Sequence, residues 1–188
     1  MHAYYISLIA ITAVAGRPPL PAVADHIVGI LAIVLTVIGC LGRVWCSAFI
    51  AGYKERWLIT DGPYSVCRHP LYVFSFIGGI GIGLTTRSIA ITLFTMLLLG
   101  TLFTLAARAE DQLLANTHQR AFEEYEKRTP AWWPRWASYR VAPTVEMRPT
   151  IFRKAFMDAT AFILLYALID TARALREAGA FPSLLHLP

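Results

Sequence analysis

The sequence predicts an all-α fold: a polytopic membrane bundle of about five transmembrane or membrane-embedded helices, forming one domain across its 188 residues. Three observations predict it. Hydrophobic residues make up 56% of the chain and charged residues only 15%, too few to coat a soluble domain of this size. The apolar residues gather into runs that approach or exceed bilayer length. The formal charge of +5 comes from lysines and arginines collected mostly in a few loops, as membrane topology requires, rather than in a basic stripe interleaved with exposed aromatics. Membrane lipids are therefore expected partners and nucleic acid is not.

Residues 3–16 form the first apolar run, short for a bilayer at about 1.5 Å per residue. Its end, Ala13-Val14-Ala15, resembles a signal-peptidase site, but the leader lacks a positive n-region, so a retained helix is expected. Arg17-Pro18-Pro19-Leu20-Pro21 ends it, because a proline cluster cannot continue a helix. Residues 24–51 make the longest span, interrupted only by Arg43. Residues 52–69 carry Lys54, Arg56 and Arg68 and form a polar hinge that the positive-inside rule places in the cytoplasm. The third span, residues 70–84, contains Gly78, Gly79, Gly81 and Gly83. No strand precedes these glycines, so close helix packing is expected rather than a nucleotide loop.

A turn at residues 85–88 leads into a fourth span, residues 89–107, antiparallel to the third. Beyond Ala107 the composition becomes charged with no breaker before Pro130, and the helix is expected to run straight on into the cytosol. Glu110, Leu114, Thr117, Ala121, Tyr125 and Arg128 would then share one side. Trp132, Trp133 and Trp136 suit an interfacial aromatic belt. A fifth apolar segment, residues 156–169, is bracketed by Asp158 and Asp170. Crossing the bilayer would set Arg173 and Arg176 outside, against the charge rule; an interfacial or re-entrant helix avoids that conflict.

The hinge carries the chemistry. Asp61-Gly62-Pro63 forces a turn, and Pro70 suits the first position of a new helix with His69 as its N-cap. Free N–H groups at that start would attract an anion, with Arg68, Tyr64 and Tyr72 close by. The hinge and the charged extension emerge on the same face, because the turn at residues 85–88 lies on the other. Together they offer an anion site, the aromatic faces of Tyr64 and Tyr72, and the carboxylate of Glu110. That set suits a small ligand bearing both a carboxylate and a cation, such as S-adenosylmethionine. Cys40, Cys46 and Cys67, and His2, His26, His118 and His186, show no metal-ligand spacing, so no metal is expected.

Leu58-Ile59-Thr60-Asp61-Gly62-Pro63-Tyr64, followed by Arg68-His69-Pro70-Leu71-Tyr72, resembles the first signature of the isoprenylcysteine carboxyl methyltransferase family and the related phospholipid methyltransferases. Glu110-Asp111-Gln112-Leu113-Leu114, then Phe122, Tyr125, Arg128 and Pro130, resembles the second. The resemblance covers about residues 56–134, and two coupled motifs are far more specific than one. It implies an S-adenosylmethionine-dependent methyltransferase, multi-pass in the membrane, with its cofactor site facing the cytoplasm. It implies cofactor contacts from Arg56, Trp57, Leu58 and Ile59 on the adenosyl side, and from Tyr64, His69, Pro70, Leu71, Tyr72 and Glu110. The acceptor would be a lipophilic small molecule or lipid-anchored group, with carboxyl O-methylation favoured over phospholipid amine N-methylation.

Two departures from the family pattern stand out. Where the family often has an arginine near the acceptor, this chain has Ala106; Arg108 is the nearest substitute, though two residues turn a helix by about 200°. The family's Phe-Gly pair is replaced by His118-Gln119. Arg108 and Arg128 are the candidate catalytic residues. On a straight helix Arg128 lies about 27 Å beyond Glu110, so either the helix folds back or Arg128 serves phosphate, headgroup or helix-end contacts. His69 is expected to position the cofactor rather than act as a base. A catalytically silent membrane scaffold and a nicotinamide-dependent reductase are the other function classes, and the sequence leaves a homodimer open.

Overall fold

The structure, a computed structural model, describes residues 15–16, 21–51, 57–179 and 185–186. Helix α1 spans Ala22–Ile50, with Asp25 in the first turn where the helix dipole favours negative charge. Its 29 residues reach about 43 Å, beyond the ~30 Å of a hydrocarbon core. A single turn, α2 (Pro63–Val66), follows. Helix α3 (Pro70–Thr85) begins at the proline and with the His69 N-cap that the sequence predicts. Helix α4 (Ile89–Arg128) opens on Ser88, whose side chain accepts the Ile91 N–H at 3.3 Å. A 3-10 turn at Trp136–Ser138 interrupts the connector to α5 (Pro149–Glu177). Three of these helices are long and apolar enough to cross a membrane, and α3 is a shorter apolar helix. The predicted first helix lies outside the described residues except for its end. There Ala15–Gly16 (β1) pairs in parallel with Leu185–His186 (β2) instead of continuing a helix.

The bundle is built by small residues on α3. A Cβ on Gly39 of α1 would lie 2.5 Å from Gly78 Cα, and one on Gly81 would lie 2.6 Å from the Thr36 backbone nitrogen. On the neighbouring strip of α3, a Cβ on Gly79 would strike Leu99 of α4, and one on Gly83 would meet Thr92 Cα at 3.2 Å. The four glycines therefore serve close packing on two partners at once, as their spacing predicts. Large apolar side chains point the other way: Ile27, Ile30, Val34 and Leu41 of α1, Leu93, Leu97 and Leu105 of α4, and Leu164 and Leu168 of α5 are exposed. In water this surface would be costly; against hydrocarbon it is the expected one. Threonine hydroxyls within the spans satisfy themselves on carbonyls one turn back, as Thr36 does on Ala32 and Thr92 on Ser88, both at 2.8 Å. Arg43, the charge inside α1, donates to Ser75 Oγ and sits 5.2 Å over the Phe162 ring.

Two expectations are corrected. The fifth apolar segment extends to all of Pro149–Glu177, a helix long and apolar enough to cross a membrane. At its start Arg148 N–H donates to the Ala51 carbonyl at the end of α1; further along, Phe162 packs over Gly78, and Leu165 and Ile169 bury against Ile82. Near its far end Asp170 pairs with Arg173 at 3.0 Å. Helix α4 does not run straight. Gln119 has φ 40° and ψ −114°, which breaks it into rods of residues 89–118 and 120–128. The second rod folds back, and the glycine of the related families falls at the residue whose φ is positive.

A side chain at φ 40° is strained by about 1–3 kcal/mol, partly offset by the entropy that glycine would lose on folding. Gln119→Gly is therefore expected to stabilise the protein by about 1 kcal/mol, raising Tm by roughly 3 °C. Thermal unfolding in detergent measures it; a lower Tm would show that the Gln119 side chain outweighs the strain.

Candidate functional site

The hinge is held by backbone geometry before any side chain acts. Gly62 adopts φ 59° and ψ −130°, and a Cβ there would also enter the Phe49 ring. Its N–H donates to the Arg140 carbonyl at 2.8 Å, while Ser65 Oγ donates back to the Gly62 carbonyl at 2.6 Å. Residues 130–135 return along the hinge. Arg68 N–H donates to Pro130 at 2.9 Å, His69 N–H to Ala131 at 3.2 Å, and Arg135 N–H to the Val66 carbonyl at 2.9 Å. These bonds narrow the predicted anion site. Tyr72 and Val73 both donate to the His69 carbonyl and Pro70 has no N–H, so from Arg68 to Val73 the Leu71 N–H alone has no backbone partner among the described residues.

The break at Gln119 brings both rods of α4 against the hinge. Arg68, 10% exposed, reaches Asp111 Oδ2 at 3.4 Å with one nitrogen and Glu126 Oε1 with another, and lies 5.8 Å over the Phe122 ring. Tyr125 OH donates to the Tyr64 carbonyl at 2.8 Å. His69 is buried, with Nε2 3.1 Å from Asp111 Oδ1 but without the alignment of a hydrogen bond. Its ring lies between Tyr72 and Trp132, at 5.8 and 5.5 Å. Tyr72 in turn stacks on Phe103 at 5.5 Å and donates to Glu110 Oε2 at 2.9 Å.

Between these elements lies an open cleft. Tyr64, Arg68, His69, Glu110, Asp111 and Tyr125 supply its polar and aromatic wall; Ile50, Trp57, Leu58, Ile59 and Leu114 supply the apolar one. Tyr64 OH is buried with no hydrogen-bond partner among the described residues. Burial, followed by the nearby Cys46 and Glu110 charges, raises that phenol well above its ordinary range, so it remains a neutral donor. Burial likewise pushes the Cys67 thiol up to about 11, against smaller opposing effects of the His69 N–H and Arg68, which leaves it a poor nucleophile near neutral pH.

Of the residues singled out in the sequence, Trp57, Leu58, Ile59, Tyr64, His69 and Glu110 line the cleft together. Tyr72 reaches it through Glu110, while Pro70 and Leu71 form the start of α3 behind His69. Arg108 and Arg128 are exposed and outside the lining, and Arg56 lies outside the described residues. Arg68, which the sequence reading set beside the anion site, also lines the cleft, as do Asp111, Ile50, Leu114 and Tyr125, which that reading did not assign to the site. Leu114 had a signal in its four-residue spacing from Glu110, and Asp111 and Tyr125 had one in the second signature, though on a straight helix Tyr125 would lie about 22 Å beyond Glu110. Among the described residues no three His, Cys, Asp or Glu side chains converge to hold a metal.

Fold and cleft together define a helical membrane protein with a polar, aromatic-lined site at one end of its bundle. The family model described as phospholipid methyltransferase matches residues 24–121, from α1 to just past the break in α4. The cobalt-zinc-cadmium resistance protein CzcN of Cupriavidus metallidurans is 35% identical over 147 residues, covering 78% of this chain and 68% of that protein. The nickel-cobalt-cadmium resistance protein NccN of Alcaligenes xylosoxydans xylosoxydans is 34% identical over 161 residues, covering 86% and 74%. A protein-S-isoprenylcysteine O-methyltransferase of Schizosaccharomyces pombe is 32% identical over 78 residues, 42% of this chain and 33% of that protein. No solved structure matches. The chain belongs to the phospholipid methyltransferase family.

Removing Arg68 would leave two carboxylates facing the hinge without their shared cation. Arg68→Ala is expected to destabilise the protein by about 1–2 kcal/mol, since both carboxylates are partly open to water, and to release residues 120–128 for proteolysis. Denaturant titration and timed digestion report the two effects; unchanged protection of that rod would refute the clamp.

Proposed function

We propose that this chain transfers a methyl group from S-adenosylmethionine to a lipophilic acceptor reached from the bilayer. One observation carries the reading: a single cleft joins the hinge residues Tyr64 and His69 to the paired acids Glu110 and Asp111, with an apolar wall of Ile50, Leu58, Ile59 and Leu114 beside them. The residues fit the cofactor. The partnerless Tyr64 hydroxyl supplies a hydrogen bond, Glu110 and Asp111 supply negative charge for an ammonium or acceptors for ribose hydroxyls, and the rings of Tyr64 and Tyr125 suit a sulfonium. Trp57, Leu58 and Ile59 flank the adenosyl side. When bound, S-adenosylmethionine supplies an electrophilic methyl on sulfur. The protein aligns the acceptor and excludes water, the main means available for a displacement that needs no covalent enzyme intermediate. Arg108 and Arg128, exposed and outside the lining, are left without a part in the cofactor's pocket.

Carboxyl O-methylation, which the motifs favour, needs no base because a carboxylate is already ionised near neutral pH. One observation favours amine N-methylation as the second reading. Arg68, the cation in the lining, is shared with Asp111 and Glu126, whereas His69 lines the cleft as the candidate base for an amine acceptor. For topology, the cleft end carries Arg120, Arg128, Arg135, Arg140, Arg148, Arg153 and Lys154; the opposite end carries Arg87, Arg173 and Arg176, with Arg87 paired to Asp25 and Arg173 to Asp170. The positive-inside rule then turns the cleft to the cytoplasm.

Calorimetric titration of the full chain with S-adenosylmethionine is expected to show micromolar binding. Glu110→Ala should weaken it about tenfold or more, the loss typical of a charged hydrogen-bonding partner. Mass spectrometry of lipids incubated with labelled cofactor separates methyl esters from methylamines. Absence of binding by well-folded protein would favour a silent scaffold, and competition by NADPH a reductase.

A further inference from the structure

We propose that the connector between α4 and α5, with the first turn of α5, is a docking surface for the anionic phospholipid headgroups of the bilayer that the protein spans. The connector exposes aromatic area that no described residue covers: Trp133 is 86% exposed and Trp136 61%. Residues 128–154 hold six basic side chains against the single acid Glu146. Arg135, Arg153 and Lys154 are exposed and have no carboxylate partner among the described residues. Indole rings beside unpaired cations match the chemistry of a headgroup layer, where the ring sits at the ester level and the cation meets phosphate.

Position selects the occupant. The Tyr139 ring packs 6.2 Å from Trp45, five residues before the end of α1 and so about 7.5 Å down its span. The other end of the connector is fixed by the Arg148 N–H on the Ala51 carbonyl at 3.3 Å. The segment is thus held where α1 leaves the hydrocarbon, and headgroups of the same leaflet are what it meets there. The docking surface is also joined to the cleft. Trp132 lies against His69, and the backbone bonds of Arg135 to Val66 and of Gly62 to Arg140 tie the connector to the hinge. Lipid contact at Trp133 and Trp136 therefore bears on the segment that shapes the site.

The test uses the full chain in nanodiscs of phosphatidylcholine, with and without phosphatidylglycerol. Spin-labelled lipids are expected to show about a threefold preference for phosphatidylglycerol, falling to about one in the Arg135→Gln/Arg153→Gln/Lys154→Gln variant. Lipids brominated near the headgroup should quench tryptophan fluorescence less in Trp133→Phe/Trp136→Phe than in the native chain. Circular dichroism and binding of S-adenosylmethionine report separately whether each variant is folded and whether the cofactor reading holds. A preference unaltered by the triple variant overturns the proposal. So does quenching of Trp133 and Trp136 by aqueous acrylamide but not by brominated lipid, which would instead mark a solvent-facing or protein-binding loop.

Discussion

One guanidinium holds the site together. Arg68 bonds a carboxylate on each rod of α4, Asp111 before the break and Glu126 after it. On an unbroken helix those two acids would be fifteen residues and about 22 Å apart, too far for one side chain to bridge. The strained backbone at Gln119 is therefore offset by interactions that exist only in the folded-back form: the second charge-assisted bond, the cation over Phe122, and the Tyr125 hydroxyl on the Tyr64 carbonyl. Without the break, Tyr125 would stand in water far from the cleft and the hinge would lose its outer wall.

The position of Arg68 depends in turn on helix packing that uses hardly any large core side chains. Gly39 on Gly78 and Thr36 on Gly81 fix the register of α1 and α3, and Gly79 on Leu99 fixes that of α3 and α4. In a bilayer, van der Waals contact between close backbones supplies attraction that the hydrophobic effect does not. With both registers set, Tyr72 must face Glu110 and His69 must face Asp111. The site's geometry is thus a consequence of where four small residues lie on a sixteen-residue helix.

What could be read from the sequence is what local rules decide. Gly62-Pro63 and Pro70 have few backbone options, so the turn, the restart and the His69 cap follow from the residues themselves. Glu110 falls on the cleft side by helical spacing from the spans. The break escaped because Gln119 is an ordinary helix former and only tertiary contacts force its φ positive; the glycine in the related families was the available sign, and it bore on more than packing. Asp111 and Tyr125 were missed with it. The row of anion-binding donors was overestimated for a similar reason, since the carbonyls of Pro130 and Ala131 come from sixty residues downstream.

The unequal lengths of α1 and α3 decide the depth at which chemistry is placed. Gly81 lies against Thr36, Gly78 against Gly39 and Phe74 against Gly42, and continuing that register sets Pro70 beside about residue 46 of α1. Helix α3 therefore begins four residues, or about 6 Å, short of the end of α1. The hinge is recessed by that amount, and Ile50, from the overhanging turn of α1, joins its wall. In the proposed reaction a polar ligand from water would meet Tyr64, Glu110 and Asp111, and a lipophilic one would meet Ile50, Leu58, Ile59 and Leu114. Two reactants of opposite polarity can then meet in one cleft without either crossing the medium that excludes it.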